Sequence, residues 1–312
     1  MRFTIKQLRY FDAALRTGSI ARAAQEMNIS QSSITAAIDM IESSLGGSLF
    51  RRVPAKGLIP TETGRDVGVR VAEFLDQCRI FDSDLMSLDG SPTGTLRLAC
   101  YAPTAPFVLP PLLKRIAKIY PAVRIDIKEG DMQQIADLLY SGAVDMALTY
   151  QRVTRQGQPF LQMFKARPFA LIAQDSPLAR RSALRLEDLA DLPMIMLDLP
   201  TTQSYFGGLF SSQGLEPKVV HRTKSSSVLR GLVAANLGYS ILNIYGHGDQ
   251  LETSGYACRP LLGQLDEPDF GVAYTANAQR STVLKAVLTI SRDLVQEGHF
   301  SSLCLRPRNY AA

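Results

Sequence analysis

The sequence predicts an α/β protein in three parts: a small, mainly helical head, one long helix, and a larger region of alternating strands and helices. Three observations lead to this prediction. Apolar residues follow helical spacing over the first 45 positions and a heptad over residues 61–88, and strand-like and helix-like segments alternate from residue 91 onwards. A chain of 312 residues is long enough for two or three domains.

The composition excludes several classes of protein. Hydrophobic residues make up 46% and charged residues 20%, unlike disordered, collagen-like or low-complexity chains. No apolar run approaches the roughly 20 residues that span a bilayer, and charges interrupt the start where a signal peptide needs its apolar segment. We therefore expect a cytoplasmic protein without a membrane partner. Scattered cysteines and histidines predict no disulfide framework, metal site or cofactor; they are Cys78, Cys100, Cys258, Cys304, His221, His247 and His299.

Three short helices are predicted in the first 45 residues. The first ends at Gly18, because glycine readily takes the left-handed conformation of a C-cap. Ser19 and Ser30 are suitable N-caps for the second and third helices. The predicted buried face of the third helix consists of Ile34, Ile38, Ile41 and Leu45.

A turn between the second and third helices and a wing after the third make a helix-turn-helix the preferred interpretation. Residues 49–60 predict two short strands around a basic turn, which suits phosphates and the minor groove. Short polar side chains at the start of the third helix can reach base edges. The alternative, a small helical bundle with a serine-rich cap, does not account for the wing. The candidate DNA-binding residues are Gln31, Ser32, Ser33, Thr35, Arg51, Arg52 and Lys56.

The net charge of the head is compatible with DNA binding but does not by itself establish it. Residues 1–65 hold nine Lys or Arg against five Asp or Glu, so the front of the chain is mildly basic. A solvated basic face would have the same balance.

The head carries a characteristic set of residues at defined positions: Leu8, Phe11, Gly18-Ser19, Ala23-Ala24, Ser30-Gln31, Ile38, Ile41-Glu42, Leu45-Gly46, Leu49-Phe50, Arg52, Thr61 and Gly64. In these positions the chain resembles the LysR-type transcriptional regulators. So many matches over about 60 residues are more specific than an isolated helix-turn-helix. The resemblance implies a winged helix-turn-helix domain over residues 1–60 that binds double-stranded DNA. Ser32 and Pro60 depart from the usual Pro and Leu, so the base preference stays open.

Residues 61–90 predict a linker helix that begins after Thr61. Its apolar residues are spaced alternately by four and three, and residues 66–90 hold six acidic against two basic residues. An exposed helix with one apolar stripe needs a partner chain, so we expect it to dimerise the protein, as the family resemblance also implies. The alternative is a helix packed on its own domain. The predicted seam is Val67, Val71, Phe74, Cys78, Phe81, Leu85 and Leu88.

Residues 91–312 predict two α/β lobes. Strands and helices alternate from Thr95 to Thr149 and again from Phe169, which is typical of a parallel sheet covered by helices. A strand from Gly271 and a helix from Val283 are predicted to return to the first lobe. Lobe I then covers about 91–165 and 267–297, and lobe II about 166–266.

This region resembles the effector-binding region of LysR-type regulators, which is related in fold to periplasmic solute-binding proteins. The matching stretches are Leu109-Pro110, Tyr120-Pro121, Gly142 with residues 145–148, and Val233 through Gly238-Tyr239.

Four polar loops, each before a helix, are the candidate effector site. Ligands of such folds lie beyond the carboxyl ends of the strands, held by hydroxyls and helix N-termini. Each loop alone could be an ordinary cap or turn, and it is the convergence of all four that indicates a ligand site. A small anion such as a carboxylate is one candidate ligand, although Asp131 opposes a strongly charged acid. The residues are Tyr101, Thr104, Gly130, Asp131, Thr201, Thr202, Ser204, Ser225 and Ser226.

The sequence thus predicts a DNA-binding transcriptional regulator controlled by a small molecule. An enzyme is the first alternative, but the chain has no nucleophile elbow, phosphate-binding loop, dinucleotide fingerprint or zinc-protease motif. A solute-binding transport protein is the second, and the head and the charged start oppose it. The expected partners are double-stranded DNA, a small effector, further copies of the chain as a dimer or tetramer, and RNA polymerase.

Overall fold

The structure, a computed structural model, describes residues 2–53, 57–88, 91–276 and 278–307, with the side chain of Glu252 excepted. The chain divides into two compact units, Met1–Met86 and Ser87–Ala312. Each unit has its own apolar core. Within the described ranges, no helix is long and apolar enough to cross a membrane.

The N-terminal unit begins with α1 (Ile5–Thr17), α2 (Ile20–Glu26) and α3 (Gln31–Leu45). Gly18 ends α1 at a φ of 62°, and the side chains of Ser19 and Ser30 accept backbone N–H groups at the starts of α2 and α3. These caps confirm the predicted helix boundaries. The prediction that Leu45 is buried is wrong. It occupies the last turn of α3 and its side chain is 49% exposed, because the head core covers α3 only as far as Ile41.

The wing consists of two antiparallel strands, β1 (Phe50–Val53) and β2 (Gly57–Pro60). The carboxylate of Glu42 accepts the N–H of Leu49 at 2.6 Å, which holds the start of the wing against α3. Gly57 has a φ of 78°, and a Cβ there would lie 2.4 Å from the carbonyl oxygen of Gly18, so this position requires glycine. The turn that contains Lys56 lies outside the described residues.

The long helix α4 (Glu62–Met86) follows the wing and, with 25 residues, is about 37 Å long. The first half of the predicted apolar seam packs inside the head. Val71 is buried in the head core, and Val67 and Phe74 are half-buried against it. These three residues therefore follow the alternative weighed above, a helix face packed on its own domain.

The second half of the seam has no such cover in the head core. Phe81 and Leu85 are 62% and 47% exposed, while Cys78 is half-buried. Leu88 is 81% exposed and lies two residues beyond the end of α4. The seam is therefore not one continuous exposed stripe from Val67 to Leu88, because the core of the head covers its residues only as far as Phe74.

The C-terminal unit contains, in chain order, β3 (Gly94–Tyr101), α5 (Ala105–Ile119), β4 (Val123–Gly130), α6 (Met132–Tyr140), β5 (Met146–Tyr150), β6 (Phe160–Lys165), β7 (Phe169–Ala173), β8 (Pro193–Leu197), α7 (Thr202–Ser211), β9 (Lys218–Thr223), α8 (Ser226–Ala234), β10 (Ser240–Leu242), β11 (Tyr256–Pro260), β12 (Asp269–Tyr274) and α9 (Thr282–Gln296). Lobe I is built on a five-stranded sheet of order β4-β3-β5-β12-β6. The pairs β3·β4 and β3·β5 are parallel, and β12 runs antiparallel to β5 and β6.

Lobe II contains an antiparallel sheet of order β10-β7-β11 and a parallel pair of β8 and β9. A single bridge between Met194 and Tyr239 links the two. Because β12 and α9 follow the whole of lobe II yet pack in lobe I, the chain passes between the lobes twice.

The α/β class is confirmed, but the expected parallel sheets are mixed. Strands β6 and β11 were absent from the prediction, and both lie at the edge of a sheet beside an antiparallel neighbour. The reason is topological: β7, β11 and β12 are not preceded by a crossover helix that would bring the chain back in the same direction.

Candidate nucleic-acid interface and ligand cleft

The N-terminus of α3 carries a cluster of three serine hydroxyls. Ser30 Oγ accepts the backbone N–H of Ser33 at 3.3 Å and lies 2.8 and 2.9 Å from the hydroxyls of Ser32 and Ser33. Two of the four predicted base-reading residues are therefore already engaged by the cap. Gln31 is exposed and Thr35 half-exposed, and neither side chain makes a hydrogen bond with the described part of the chain.

The wing adds positive charge next to α3. Arg51 and Arg52 are both exposed on β1. A guanidinium nitrogen of Arg52 is 4.0 Å from a carboxylate oxygen of Asp39, and both side chains are more than 60% exposed, so this pair is weak. Arg65, which the sequence analysis did not single out, donates to the carbonyl of Pro60 at 3.1 Å and places another cation at the base of the wing.

A cleft opens in the C-terminal unit where β3, β5, β8 and β10 end. This is the edge at which α/β sheets bind ligands. Both lobes contribute side chains, most of them aromatic or aliphatic, with hydroxyls, one amide and two guanidiniums. The lining residues are Tyr101, Pro103, Thr104, Met132, Tyr150, Arg152, Leu197, Thr202, Tyr205, Phe206, Ser226, Arg230, Leu242, Asn243, Ile244 and Pro268.

Four of the predicted effector residues line this cleft: Tyr101, Thr104, Thr202 and Ser226. Tyr101 at the end of β3 and Thr202 at the start of α7 share a hydrogen bond of 2.8 Å between their hydroxyls, across the two lobes. Burial raises the pKa of Tyr101 to about 12, so its phenol remains neutral at physiological pH. This pair of hydroxyls therefore joins the two lobes at the wall of the cleft.

The other five predicted residues do not line the cleft, although they lie in the same loops. Asp131 and Ser225 turn back to cap α6 and α8, where they accept the N–H groups of Gln134 and Val228. An N-cap side chain faces its own helix, which removes it from the ligand space. The remaining three predicted residues outside the lining are Gly130, Thr201 and Ser204.

Thr201 has a structural role in placing Thr202. Its φ of 68° and ψ of −36°, with a hydrogen bond of 2.8 Å from Thr202 N to Pro200 O, define a γ-turn of the strained type. A positive φ is uncommon for a β-branched residue, and such strain concentrates at functional sites. The turn fixes the position from which the hydroxyl of Thr202 reaches Tyr101.

Arg230 in α8 forms the most extensive ion pair of the cleft. Its guanidinium donates to both carboxylate oxygens of Asp249 at 2.6 and 2.9 Å. Asp249 also accepts from the hydroxyl of Tyr256 at 2.7 Å and the backbone N–H of Gly246 at 2.8 Å. Burial disfavours the charged carboxylate, but the hydrogen bond and charge of Arg230 outweigh it, so the pKa of Asp249 is lowered.

Arg152, in a turn of 3-10 helix after β5, forms the second ion pair. It lies 2.9 Å from a carboxylate oxygen of Asp266, and its guanidinium is 4.4 Å from the ring centre of Tyr205. Both cations of the cleft are therefore paired with carboxylates of the chain itself. Neither pair follows a local sequence pattern, since the partners are 114 positions apart for Arg152 and Asp266 and 19 apart for Arg230 and Asp249, so the arginines could not be predicted as cleft residues.

The folded elements and this cleft define a class of protein: a winged helix-turn-helix head followed by a two-lobed ligand-binding region. Residues 5–65 match the family model of the bacterial regulatory helix-turn-helix protein, lysR family, and residues 89–296 match that of the LysR substrate binding domain. The chain belongs to the LysR family of transcriptional regulators.

Relatives support this membership over most of the chain. The uncharacterised HTH-type transcriptional regulator YvbU of Bacillus subtilis is 26% identical over 77% of this chain and 81% of its own. Among solved structures, the LysR family regulator HinK of Pseudomonas aeruginosa is 26% identical, with 94% and 99% of the two chains covered and a TM-score of 0.61. A cysteine mutant of Corynebacterium glutamicum OxyR, bound to H2O2, is 25% identical with a TM-score of 0.64, and the comparison covers 100% and 99% of the chains.

The ion pair of Asp249 predicts a pH dependence of stability. Because the folded pKa is lowered, the stabilising contribution is present above the ordinary aspartate value of about 3.9 and is lost as the pH falls through the lowered value. We expect Asp249→Asn to cost about 3 kcal/mol near pH 7, since Arg230 then keeps a largely buried charge without its counter-ion. Urea unfolding followed by circular dichroism, from about pH 7 down to about pH 3, measures both effects.

Asp266→Asn is the matched control, because it breaks an ion pair whose carboxylate is 65% exposed. It should cost less than about 1 kcal/mol. Equal losses for the two variants would contradict the special role of the Arg230–Asp249 pair.

Proposed function

We propose that Gln31 and Thr35 read base edges in the major groove, while Arg51, Arg52 and Lys56 bind phosphate or the minor groove. The observation that supports the first part is the free polar face at the start of α3, where the neighbouring serines are occupied by the cap. Glutamine offers a bidentate amide suited to adenine. The arginines on the wing are exposed and lack strong ion pairs within the described head. Ser32 and Ser33 then serve to hold the helix start and to contact the backbone of the DNA.

Replacement of Gln31 by alanine tests the base-reading role. We expect a loss of preference at one position of the site, at a cost of about 1 to 3 kcal/mol for the favoured base. Arg51→Ala should weaken all sequences alike and reduce the slope of log affinity against log salt by about one. Binding to randomised DNA and to the upstream region of its own gene, at several salt concentrations, measures both. An unchanged site profile for Gln31→Ala would show that another helix face reads the bases.

We propose further that the protein forms dimers through the uncovered end of α4. Phe81 and Leu85 are 62% and 47% exposed and lie one turn apart on the same side of the end of α4, and Leu88, 81% exposed, lies just beyond. Exposed apolar side chains in such a group are typical of a helix that packs on a second helix. The dimerising segment is thus shorter than the whole seam, and the arrangement of larger assemblies is left to experiment.

The double substitution of Phe81 and Leu85 by aspartate tests this interface. Two unpaired carboxylates in an apolar helix contact should dissociate the dimer and weaken operator binding, since one head makes half the contacts. Sedimentation velocity of the full chain gives the oligomeric state. Val69→Asp is the control, because Val69 is also exposed on α4 at 40% but lies about a third of a turn around the helix from Phe81. Dimers in both variants would overturn the proposal.

We also propose that a small effector binds in the cleft and controls DNA binding. The supporting observation is the contact between Tyr101 and Thr202, which places hydrogen-bonding groups of both lobes around one space. Both arginines of the cleft are already paired, so the walls offer hydroxyls, an amide and aromatic faces without a free cation among the described residues. This favours a small planar molecule with a carbonyl or carboxylate over a multiply charged anion.

The cleft assignment predicts unequal effects of three small substitutions. Thr202→Val and Ser226→Ala should each weaken the effector by about fivefold to tenfold, the loss expected for one hydrogen bond. Ser204→Ala, in the same first turn of α7 as Thr202 but outside the cleft lining, should have no effect. A thermal-shift screen of small carboxylates, amides and phenols on the full chain identifies the effector and measures its affinity for each variant. Equal weakening by Ser204→Ala would contradict the cleft as the binding site.

The division of the chain that we propose is residues 1–60 for DNA binding, 61–90 for the linker and 91–312 for effector binding. We propose RNA polymerase as a further partner, on the basis of family membership alone. Catalysis is not proposed, because the relatives are transcriptional regulators.

A further inference from the structure

The chain passes between the lobes at two segments, residues 166–168 and residues 261–268. The backbone N–H of Ala166 in the first segment donates to the carbonyl of Pro268 in the second at 2.9 Å. The side chain of Arg167 is 1% exposed and is paired with Glu267. It also donates to the carbonyls of Leu261 and Gly263 at 2.8 and 3.1 Å. These contacts hold the two crossing segments side by side.

Two residues of the cleft wall bond directly to these crossing segments. The amide of Asn243 donates to the carbonyl of Ala166 at 2.7 Å. The hydroxyl of Tyr205 donates to the carbonyl of Asp266 at 2.7 Å and accepts from Asn243 at 3.1 Å. One continuous set of hydrogen bonds therefore runs from the first crossing segment, through two side chains that a ligand can touch, to the second.

We infer that Tyr205 and Asn243 are positioning residues that couple occupancy of the cleft to the two segments that join the lobes. This inference rests on the proposed effector role of the cleft and describes how that site is regulated. The hydroxyl of Tyr205 has a single proton, which is donated to Asp266. A ligand oxygen that accepts this proton leaves the carbonyl of Asp266 without it, and the crossing segment then adjusts to recover a donor.

The ligand chemistry that drives this change is a hydrogen-bond acceptor, a carbonyl or a carboxylate, placed against the ring of Tyr205. The guanidinium of Arg152 already lies 4.4 Å from that ring and 2.9 Å from the carboxylate of Asp266, so the acceptor meets a cation at the same point. An apolar molecule of the same size fills the cleft without competing for the proton. It therefore does not move the crossing segments.

Tyr101 provides a matched control for Tyr205. Both tyrosines line the cleft and both hydroxyls are hydrogen-bonded, but the hydroxyl of Tyr101 contacts Thr202 and neither crossing segment. Removal of either hydroxyl deletes one hydrogen bond of the cleft. Only Tyr205→Phe removes a bond to a crossing segment.

The experiment is hydrogen exchange of the full chain, followed at the amide of Ala166 and over peptides that cover residues 160–170 and 262–272. We expect exchange at Ala166 to accelerate about fivefold in Tyr205→Phe and Asn243→Ala, the change that follows from one lost hydrogen bond. In Tyr101→Phe it should stay within about twofold of the parent protein. Equal exchange in Tyr205→Phe and the parent, or equal acceleration in Tyr101→Phe, would overturn the inference.

Asn243→Asp separates hydrogen bonding from packing, because the side chains have nearly the same shape. A carboxylate cannot donate to the carbonyl of Ala166, whereas its protonated form can. Position 243 is buried, which raises the pKa of a carboxyl there, and we expect protection of the Ala166 amide in this variant, relative to the parent, to recover as the pH is lowered from about 8 to about 4. A merely structural role would give a constant deficit, as in Asn243→Ala, and that result would refute coupling through the hydrogen bond.

Neither measurement needs operator DNA or an effector, so failure of this inference is distinct from failure of the proposed function. If Thr202→Val weakens the effector but Tyr205→Phe leaves exchange unchanged, the cleft is the effector site and the coupling is wrong. If exchange changes as expected, the hydrogen-bonded link from the cleft wall to the crossing segments stands whatever the effector proves to be.

Discussion

The buried pair between Arg167 and Glu267 is the constraint on which the C-terminal unit depends. The side chain of Arg167 is 1% exposed, and three of its partners, the carboxylate of Glu267 and the carbonyls of Leu261 and Gly263, lie on the returning segment between β11 and β12. The two crossing segments are therefore held together, and β12 enters the sheet of lobe I antiparallel to β5. We interpret the pair as a source of positional specificity rather than of stability, because desolvation offsets much of its attraction.

The same compensation of charge characterises the cleft. Arg230 and Arg152 bring positive charge to its walls, yet each is held by a carboxylate, Asp249 or Asp266. The two ion pairs differ in their exposure to solvent. The Arg230–Asp249 pair is largely buried, whereas the carboxylate of the Arg152–Asp266 pair is open to solvent. A ligand can thus compete with Asp266 at low cost, whereas competition with Asp249 would break a network that includes Tyr256 and Gly246. In the coupling that we infer, the side of the cleft beside Tyr205 is the one that responds to a ligand.

Much of the fold could be predicted from the sequence because its signals are local. Gly18, Ser19 and Ser30 mark helix ends through their own backbone preferences, and the structure confirms all three. Helix and strand periodicities likewise predicted the head and most strands of both lobes. The errors occurred where a neighbour decides the outcome. Leu45 has the right spacing, but no element of the head covers it, and the first half of the seam packs on the head core although its spacing suited a partner chain equally well.

The candidate site shows the same division in its individual residues. Asp131 and Ser225 were predicted as ligand contacts from their loops, and both side chains instead cap a helix. The N–H group that each accepts is only three residues further along the chain. Tyr101 and Thr202 do meet, but across 101 positions, and the pairs Arg152–Asp266 and Arg167–Glu267 span 114 and 100. The sequence by itself determined the helices, most of the strands, the family pattern and the polar loops, because capping and periodicity act over a few residues. Only the tertiary structure decided which of these loops face the cleft and which charges are paired, because those contacts form after two lobes and two chain crossings have brought distant residues together.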